Sequence, residues 1–397
     1  MCDCTRSTRV HGPLAHRWHA HPASTCPYGE LARPRRTPPA PGEFAPDEED
    51  TPVPVTRKLR TSLLSASALA GAAALLLQAA IPAHAVADFD VTATVETAPV
   101  SGSGDAADDP AIWVHPGDPA KSVVVGTDKK GALEVYDLKG ARIQRISGDY
   151  GNNVDVRGNV VVSADDEAAG GDGAMRVYRI DPATRRLKHL KDVPTEVTAH
   201  GICLYTSPES GKLYAYPNST SGRVEQWELA VSGDAVTATS VRLFDAGSAV
   251  EGCYADETTG KLYLGEEDVG VWVYGAEPGS GTARTKLDST GSGGHITADT
   301  EGITAAGNRL FVSSQGSNDF TVYDRRNGSY LGRFGVASGT VADDCEDTDG
   351  IDATATALGS AFPKGVFICQ DGSNGAPGGS GNQNFKYVPL ERITDKV

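Results

Sequence analysis

Short apolar segments recur along the chain from residue 86 onward, and a stretch of alternating apolar and polar residues follows most of them. Residues 122–126, 261–265 and 309–313 are examples of the first kind, and residues 133–138 and 175–180 are examples of the second. A period of two between Gly, Asn and Asp turns is typical of β-strands. The pattern therefore predicts an all-β fold.

The predicted strands fall into six repeats. Each repeat opens with a polar residue, and these openers recur at intervals of 44 to 51 residues: Asp109, Asn153, His200, Glu251, Glu301 and Asp349. Units of this length with about four strands each match the blades of a β-propeller. The sequence thus predicts a six-bladed β-propeller, in which residues 89–95 close the ring by supplying an outer strand to the last unit. A two-sheet sandwich is the alternative, but it does not account for the even period.

The first 85 residues carry a different pattern. Residues 57–85 contain a basic start, an apolar stretch from Leu63 to Ile81, and small residues at Ala83 and Ala85, which is the pattern of a secretory signal peptide. Residues 1–56 are rich in Pro, Arg and His, a composition that builds no core, and are expected to be disordered or to precede a misassigned start. The folded domain is expected to span residues 86–397, and the protein to be extracellular.

The charge of the chain limits its partners. The 397 residues include 36 Lys+Arg and 52 Asp+Glu, for a net charge of −16. Residues 1–85 hold nine of the basic and seven of the acidic residues, so the remainder carries −18. Such a surplus of carboxylates argues against binding to nucleic acid or to an anionic membrane surface. It reflects either solubility alone or a requirement for divalent cations.

Four cysteines remain after residue 85: Cys203, Cys253, Cys345 and Cys369. In an exported chain they suggest two disulfides, for which three pairings exist. The positions in the repeat favour Cys203–Cys253 with Cys345–Cys369. A zinc site is the alternative, but no pair has the C-x2-C spacing.

The openers also predict chemistry. The first strand of each propeller blade lines the central channel, so four of the six openers would bring carboxylates to one end of the axis. Like charges at close range raise one another's pKa unless a cation neutralises them, and ligands that are all oxygen suit Ca²⁺. The alternative is that each acid caps a turn before glycine, but its repetition in four blades favours the calcium site.

A basic doublet, Lys129 and Lys130, directly follows the apolar strand of the first repeat. Lysines usually lie on solvated faces, yet this pair is one strand away from Asp108 and Asp109. Cations beside an acidic, metal-binding mouth create a site for an anion with several charges. A phosphate ester fits that site better than a neutral sugar does.

Two longer motifs make a resemblance specific. DAADDPAIW at residues 105–113 and NNVDVR at residues 152–157 resemble the signature motifs of the β-propeller phytases, which are secreted calcium-dependent alkaline phosphatases acting on inositol hexakisphosphate (phytate). The likeness extends from about Glu96 to residues 391–393. Further similar segments are residues 127–130, 266–268, 299–302, 314–316 and 348–352.

The resemblance implies a 3-phytase that binds several calcium ions and takes phytate, as its calcium complex, to lower inositol phosphates and inorganic phosphate. By this resemblance the calcium ligands are Glu96, Asp108, Asp109, the carbonyls of Pro110 and Val154, Glu251, Glu267, Asp299, Glu301, Gln315, Asp343 and Asp349. It also implies that a calcium-bound water, held by Asp108, Glu251 and Glu301, attacks phosphorus without a phosphoenzyme.

Phosphate contacts are likewise implied by the resemblance. They fall on Lys129, which also bears charge in the reaction, and on Lys130, with Arg157 and His200 as further candidates for binding the substrate. Three positions depart from the family pattern. An Arg that binds phosphate is replaced by Asp166, a Tyr by His200, and a Lys by Thr220. Arg157, Arg223 and Lys212 are the candidates to compensate for them.

Two other functions stay open at this point. One is a calcium hydrolase of the lactonase or phosphotriesterase type on the same six-bladed fold, against which Lys129 and Lys130 count. The other is a propeller that binds calcium for stability and has no catalytic activity. A single closed propeller gives no reason to expect more than a monomer.

Overall fold

A computed structural model describes residues 88–166, 173–375 and 381–397. Over these ranges the chain forms six small β-sheets and one short α-helix, and the sheets are the blades of a six-bladed β-propeller. The predicted fold is therefore confirmed. The predicted signal peptide and the extension before it lie outside the described residues.

Blades 1 to 4 are antiparallel sheets of four consecutive strands, numbered from the central channel outward. Blade 1 contains β3 (Ala107–Trp113), β4 (Val123–Asp128), β5 (Ala132–Asp137) and β6 (Arg142–Ser147). Blade 2 contains β7 (Gly151–Arg157), β8 (Val160–Asp165), β9 (Ala174–Asp181) and β10 (Arg186–Pro194). Blade 3 contains β11 (Leu204–Thr206), β12 (Leu213–Ala215), β13 (Arg223–Ser232) and β14 (Ala235–Asp245). Blade 4 contains β15 (Val250–Asp256), β16 (Lys261–Glu266), β17 (Gly270–Gly275) and β18 (Arg284–Ser289).

Blades 5 and 6 are completed by the start of the described chain. Blade 5 contains β19 (Thr300–Ala306), β20 (Arg309–Ser314), β21 (Asp319–Asp324) and β22 (Tyr330–Val336). Blade 6 contains β23 (Ile351–Thr354), β24 (Val366–Asp371) and β25 (Asn384–Pro389), and the helix α1 (Glu391–Thr394) follows.

The closing segment divides between two blades. Strand β2 (Val95–Glu96) pairs antiparallel with β25 and supplies the fourth strand of blade 6, as the sequence predicted for residues 89–95. Strand β1 (Phe89–Val91), however, pairs parallel with β22 and becomes a fifth strand of blade 5. The prediction is thus right for the end of the segment and wrong for its start.

The core lies between neighbouring blades. Between blades 5 and 6, for example, the rings of Phe311, Phe320, Phe334 and Phe367 pack together and are fully buried. Burying each such side chain contributes roughly 1.5–3 kcal/mol. Because every blade packs on two neighbours, the ring holds each inner strand at a fixed place around the axis.

The two disulfides pair as predicted. Cys203–Cys253 joins the inner parts of blades 3 and 4, and Cys345–Cys369 joins the segment before β23 to β24. Both are consistent with an oxidising, extracellular environment. Over the described ranges, none of the helical segments has the length and apolar character needed to cross a membrane.

Candidate active site

All six inner strands begin at the same end of the central channel, which we call the mouth. Four of them, β3, β7, β15 and β19, shift register against the next strand within their first residues. Each shift has the form of a β-bulge, which bends the strand and redirects its side chains. The residues inside these bulges include the predicted openers Asp109, Asn153, Glu251 and Glu301.

Glycine follows an acidic opener because the inner strands approach one another closely. A Cβ on Gly252 would lie 2.1 Å from the carbonyl oxygen of Glu301 in the next blade. One on Gly350 would lie 2.2 Å from Asp109 Oδ1. Each glycine thus lets the opener of one blade approach the next. This packing accounts for the acid–glycine pairs, in place of the turn caps considered from the sequence.

Lys129 lies in the centre of a group of acids at the mouth. Its Nζ is 2.9 Å from Asp108 Oδ2, 2.8 Å from Asp105 Oδ1 and 3.7 Å from Asp349 Oδ2. Gln315 Nε2 donates to Asp349 Oδ1 at 2.6 Å. Blade 1 thus brings Asp108 and Lys129 to this point, blade 5 brings Gln315 and blade 6 brings Asp349.

On the other side of the mouth, His200 contacts Glu251. Its Nε2 is 3.0 Å from Glu251 Oε2, and its Nδ1 is 3.1 Å from Asp166 Oδ2. Asn152 Nδ2 donates to Glu251 Oε1 at 3.1 Å. Burial disfavours the charged imidazole, but the hydrogen bonds to Asp166 and Glu251 outweigh it and raise the pKa of His200 to about 10.

Buried carboxyl oxygens at the mouth lack partners. Asp108 Oδ1 and Glu301 Oε2 are buried and form no hydrogen bond. Burial, followed by the charges of Glu251 and Asp349, raises the pKa of both carboxyls well above the usual range. Burial and the charge of Glu251 likewise raise the pKa of Asp349 to about 7.

Glu267 and Asp299 belong to the same electrostatic cluster. Burial, and then the charges of Glu251 and Asp299, raise the pKa of Glu267. Burial, and then the charges of Asp268 and Glu251, raise the pKa of Asp299. Carboxylates that oppose one another's ionisation in this way are arranged to bind an added cation.

The donor set at the mouth fits a hard divalent ion. The carboxylates and the Gln315 amide are oxygen ligands, and two buried oxygens have no other partner. Among the described residues, however, no group of three or more His, Cys, Asp or Glu side chains stands ready as a metal site. Lys129 and His200 occupy several of the carboxyl oxygens instead.

A narrow cavity continues from the mouth along the channel. It has a volume of about 40 Å³, enough for a water-sized occupant, and Asp109, Pro110 and Val154 are among its lining residues. Asp109 Oδ2 accepts a hydrogen bond from the Val154 amide at 3.0 Å, which ties blade 1 to blade 2.

Glu96 and Asp343 gather in a separate cluster around Lys386 on blade 6. The Lys386 ammonium is fully buried, 3.1 Å from Glu96 Oε2 and 3.0 Å from Asp371 Oδ2, and it also contacts Asp343. Sequence reasoning missed the role of Lys386 in this cluster. The available signal was a charged residue inside the otherwise neutral strand β25 (Asn384–Pro389).

The remaining predicted residues divide between the two ends of the channel. Lys130 lies at the mouth, exposed beside Lys129. Arg157 ends β7 at the opposite end, where it pairs with Glu257 at 2.6 Å and with Asp155 at 2.8 Å. Arg157 therefore lies away from the mouth, although it lines the same channel cavity as Asp109, Pro110 and Val154.

Lys212 and Arg223 were the other candidates to take over phosphate binding from the altered family positions. Arg223 lies at the mouth and Lys212 does not. Lys212 lies at the opposite end, beside the start of β12, where it pairs with Glu228. Arg223 begins β13 at the mouth end, three residues after Thr220. Arg223 is about half exposed and only loosely paired, 4.0 Å from Glu196.

Comparison with known proteins decides the family. The family model described as Phytase matches residues 57–397. The chain belongs to the phytase family. It is also 38% identical over 360 residues to a 3-phytase of Bacillus subtilis (strain 168), covering 85% of this chain and 94% of the relative. The resemblance found in the motifs is thereby confirmed, and membership of this family implies a metal-dependent enzyme with a small phosphate ester as its substrate.

Proposed function

We propose that the protein is a calcium-dependent 3-phytase that releases inorganic phosphate from phytate. One structural observation supports this most directly: buried carboxylates from several blades converge at one mouth together with Lys129. The 38% identity to a 3-phytase over most of both chains supports the choice of substrate.

Calcium would be held at the mouth by oxygen donors. The proposed ligands there are Asp108, Asp109, Glu251, Glu267, Asp299, Glu301, Gln315 and Asp349, with the Pro110 and Val154 carbonyls deeper in the channel. Glu96 and Asp343 are the proposed ligands of a peripheral ion, in competition with Lys386. Bound calcium would lower the pKa of a nearby water and offset the charge of the phosphoryl group.

The protein's own residues have separable tasks. The Lys129 side chain is 19% exposed and borders open space at the mouth, so its ammonium can turn from Asp105 to a phosphoryl oxygen. Asp108, Glu251 and Glu301 orient the attacking water, because their carboxyl groups are fixed by the bulged strands β3, β15 and β19. Lys130, exposed nearby, is placed to contact a second phosphate.

We also propose where the enzyme acts and in which oligomeric state. Two disulfides and the predicted signal peptide support export, so that the enzyme would meet phytate outside the cell. We propose that it acts as a monomer on the calcium complex of phytate.

Phosphate release from phytate near neutral pH tests the proposal. Wild-type protein with calcium should release phosphate, and chelation should abolish release. Glu301→Gln should lose about 100-fold or more, because its carboxylate would no longer help to hold water and cation. Glu209→Gln, an exposed glutamate at a turn, is the matched control and should keep full activity.

The same assay distinguishes the alternatives. Turnover of lactones or phosphotriesters without release from phytate would favour the other class of calcium hydrolase. A folded, calcium-stabilised protein that turns over none of these substrates would reject catalysis altogether. Phosphate release from simple monoesters but not from phytate would place the substrate preference in the changed residues Asp166, His200 and Thr220.

A further inference from the structure

Four of the six openers of the repeat lie inside an inner strand, where sheet pairing holds them on both sides. In blade 4, for example, Val250 pairs with the neighbouring strand before Glu251, and Cys253 pairs with it after Glu251. The inner strands of blades 1, 2 and 5 are paired in the same way around Asp109, Asn153 and Glu301. The backbone of each of these four openers is therefore fixed by its own blade.

The openers of blades 3 and 6 lie outside the inner strands. Strand β11 begins only after His200, and β23 begins only after Asp349. Blade 3 adds one isolated bridge, between Gly201 and Asn218. The residues directly before either opener form no strand. Regular sheet pairing thus holds these two openers on one side alone.

The two disulfides of the described chain occur in these same two blades. Cys203 directly precedes β11 and is bonded to Cys253 in β15. Cys345 lies in the segment that leads to Asp349, and it is bonded to Cys369 in β24. All four cysteines are at most 9% exposed, so the bonds lie inside the fold. Each bond supplies a covalent anchor where the opener lacks sheet pairing.

Both anchored segments carry residues of the mouth. The bond between blades 3 and 4 lies close in sequence to His200 and Glu251, whose side chains are 3.0 Å apart. Cys345 lies between Asp343 and Asp349 in sequence, and both of these carboxylates are proposed calcium ligands. The covalent anchors are thus placed where a shift of the backbone would move site residues.

We propose that the two disulfides are positioning elements of the site, which hold the openers His200 and Asp349 in place in the folded protein. A disulfide ordinarily restricts the unfolded chain and so raises the free energy of global unfolding. A positioning role predicts, in addition, that the folded state loosens locally when the bond is removed. The effect on the backbone is independent of the reaction, whereas the effect on calcium binding rests on the proposed function.

Backbone hydrogen exchange measures the local effect in blade 3. Full-length protein is compared in chelator, so that no bound ion takes over the role of the bond. The His200 amide donates to the Asn218 carbonyl at 2.8 Å and reports on the opener. In the double variant Cys203→Ala/Cys253→Ala this amide should exchange about 10-fold faster or more.

The same measurement applies to blade 6. The Gly350 amide, next to the opener, donates to the Asp108 carbonyl at 3.1 Å. In Cys345→Ala/Cys369→Ala it should exchange about 10-fold faster or more. The two double variants are controls for each other, because each should leave the amide at the other opener unchanged.

Calcium titration by calorimetry is the second measurement. Loss of the bond in blade 6 should weaken calcium binding about 10-fold or more, because Asp343 and Asp349 are then held less firmly. Leu187→Ala is the matched control. Leu187 is buried in β10, the outer strand of blade 2, and its truncation lowers global stability much as loss of a disulfide does. This variant should change neither calcium affinity nor exchange at the openers.

Unchanged exchange at both openers together with a lower Tm would overturn the proposal, because the bonds would then act on the unfolded chain alone. Equally faster exchange at all amides would overturn it too. Should an alanine pair fold poorly, Cys203→Ala/Cys253→Val and Cys345→Ala/Cys369→Val fill more of the space and repeat the test. Faster exchange at the openers with unchanged calcium affinity would support positioning of the backbone and contradict the assignment of calcium to Asp343 and Asp349.

Discussion

Removal of bound cations should make the propeller less stable as the pH rises from about 4 to about 7. The perturbation is chelation, which leaves the buried acids at the mouth without a counter-ion. Asp349 gives the magnitude, because burial and the charge of Glu251 raise its pKa from 3.8 to about 7. A difference of about three units corresponds to about 4 kcal/mol.

The sign follows from proton binding. Between the two pKa values the folded protein binds more protons at Asp349 than the unfolded chain does, so the free energy of unfolding falls as the pH rises. His200 acts in the same direction above its usual pKa of 6.5, because its folded-state pKa is about 10. The loss is complete once the pH exceeds the folded-state values.

Thermal unfolding in chelator measures the effect. A change of about 4 kcal/mol corresponds to a fall in Tm of roughly 6 °C for a domain of about 300 residues. Calcium should reduce the fall, because it binds the ionised carboxylates. Asp349→Asn should flatten the pH dependence in chelator. Asp234→Asn, at an exposed carboxyl whose pKa is lowered, should leave it unchanged. Equal slopes for wild type and Asp349→Asn would refute the reasoning.

Three further predictions concern stability and are checked by Tm. Gly252→Ala should lower the free energy of unfolding by about 1–3 kcal/mol, because the added Cβ would lie 2.1 Å from the carbonyl oxygen of Glu301 in blade 5. Gly279→Ala is the control and should leave the Tm unchanged, because no atom lies within 4 Å of its added Cβ. Lys386→Met should cost about 3–5 kcal/mol, because it leaves buried carboxylates without their cation; an unchanged Tm would contradict this. Replacing Cys345 and Cys369 by Ala should cost about 3 kcal/mol by freeing the unfolded chain.

The repeat made much of the fold predictable. Its period gives the number of blades, and its openers give the residues that meet at the mouth, because each inner strand begins at the same end. The pattern could not divide residues 89–95 between two blades. Parallel pairing of β1 with β22 leaves the same alternation of residues as the antiparallel pairing of β2 with β25.

The site was less predictable than the fold. Arg157 is close to Asn153 in sequence, but a strand carries it along the channel to the opposite end. Asp166 pairs with His200 across blades 2 and 3. The two residues depart from the family pattern at separate positions, and nothing in the sequence indicates that their side chains meet. The role of Lys386 was hidden for a similar reason, since two of its three carboxyl partners, Glu96 and Asp343, come from distant parts of the chain.

The closing segment, formed by β1 and β2, also determines when the ring can be completed during synthesis. Strands β1 and β2 leave the ribosome before every blade, yet their partners β22 and β25 are made near the end. Blades 1 to 4 can each form as their own strands appear. The ring can close only after residues 384–389 have been made, so a chain truncated before β25 would keep both ends of the propeller open.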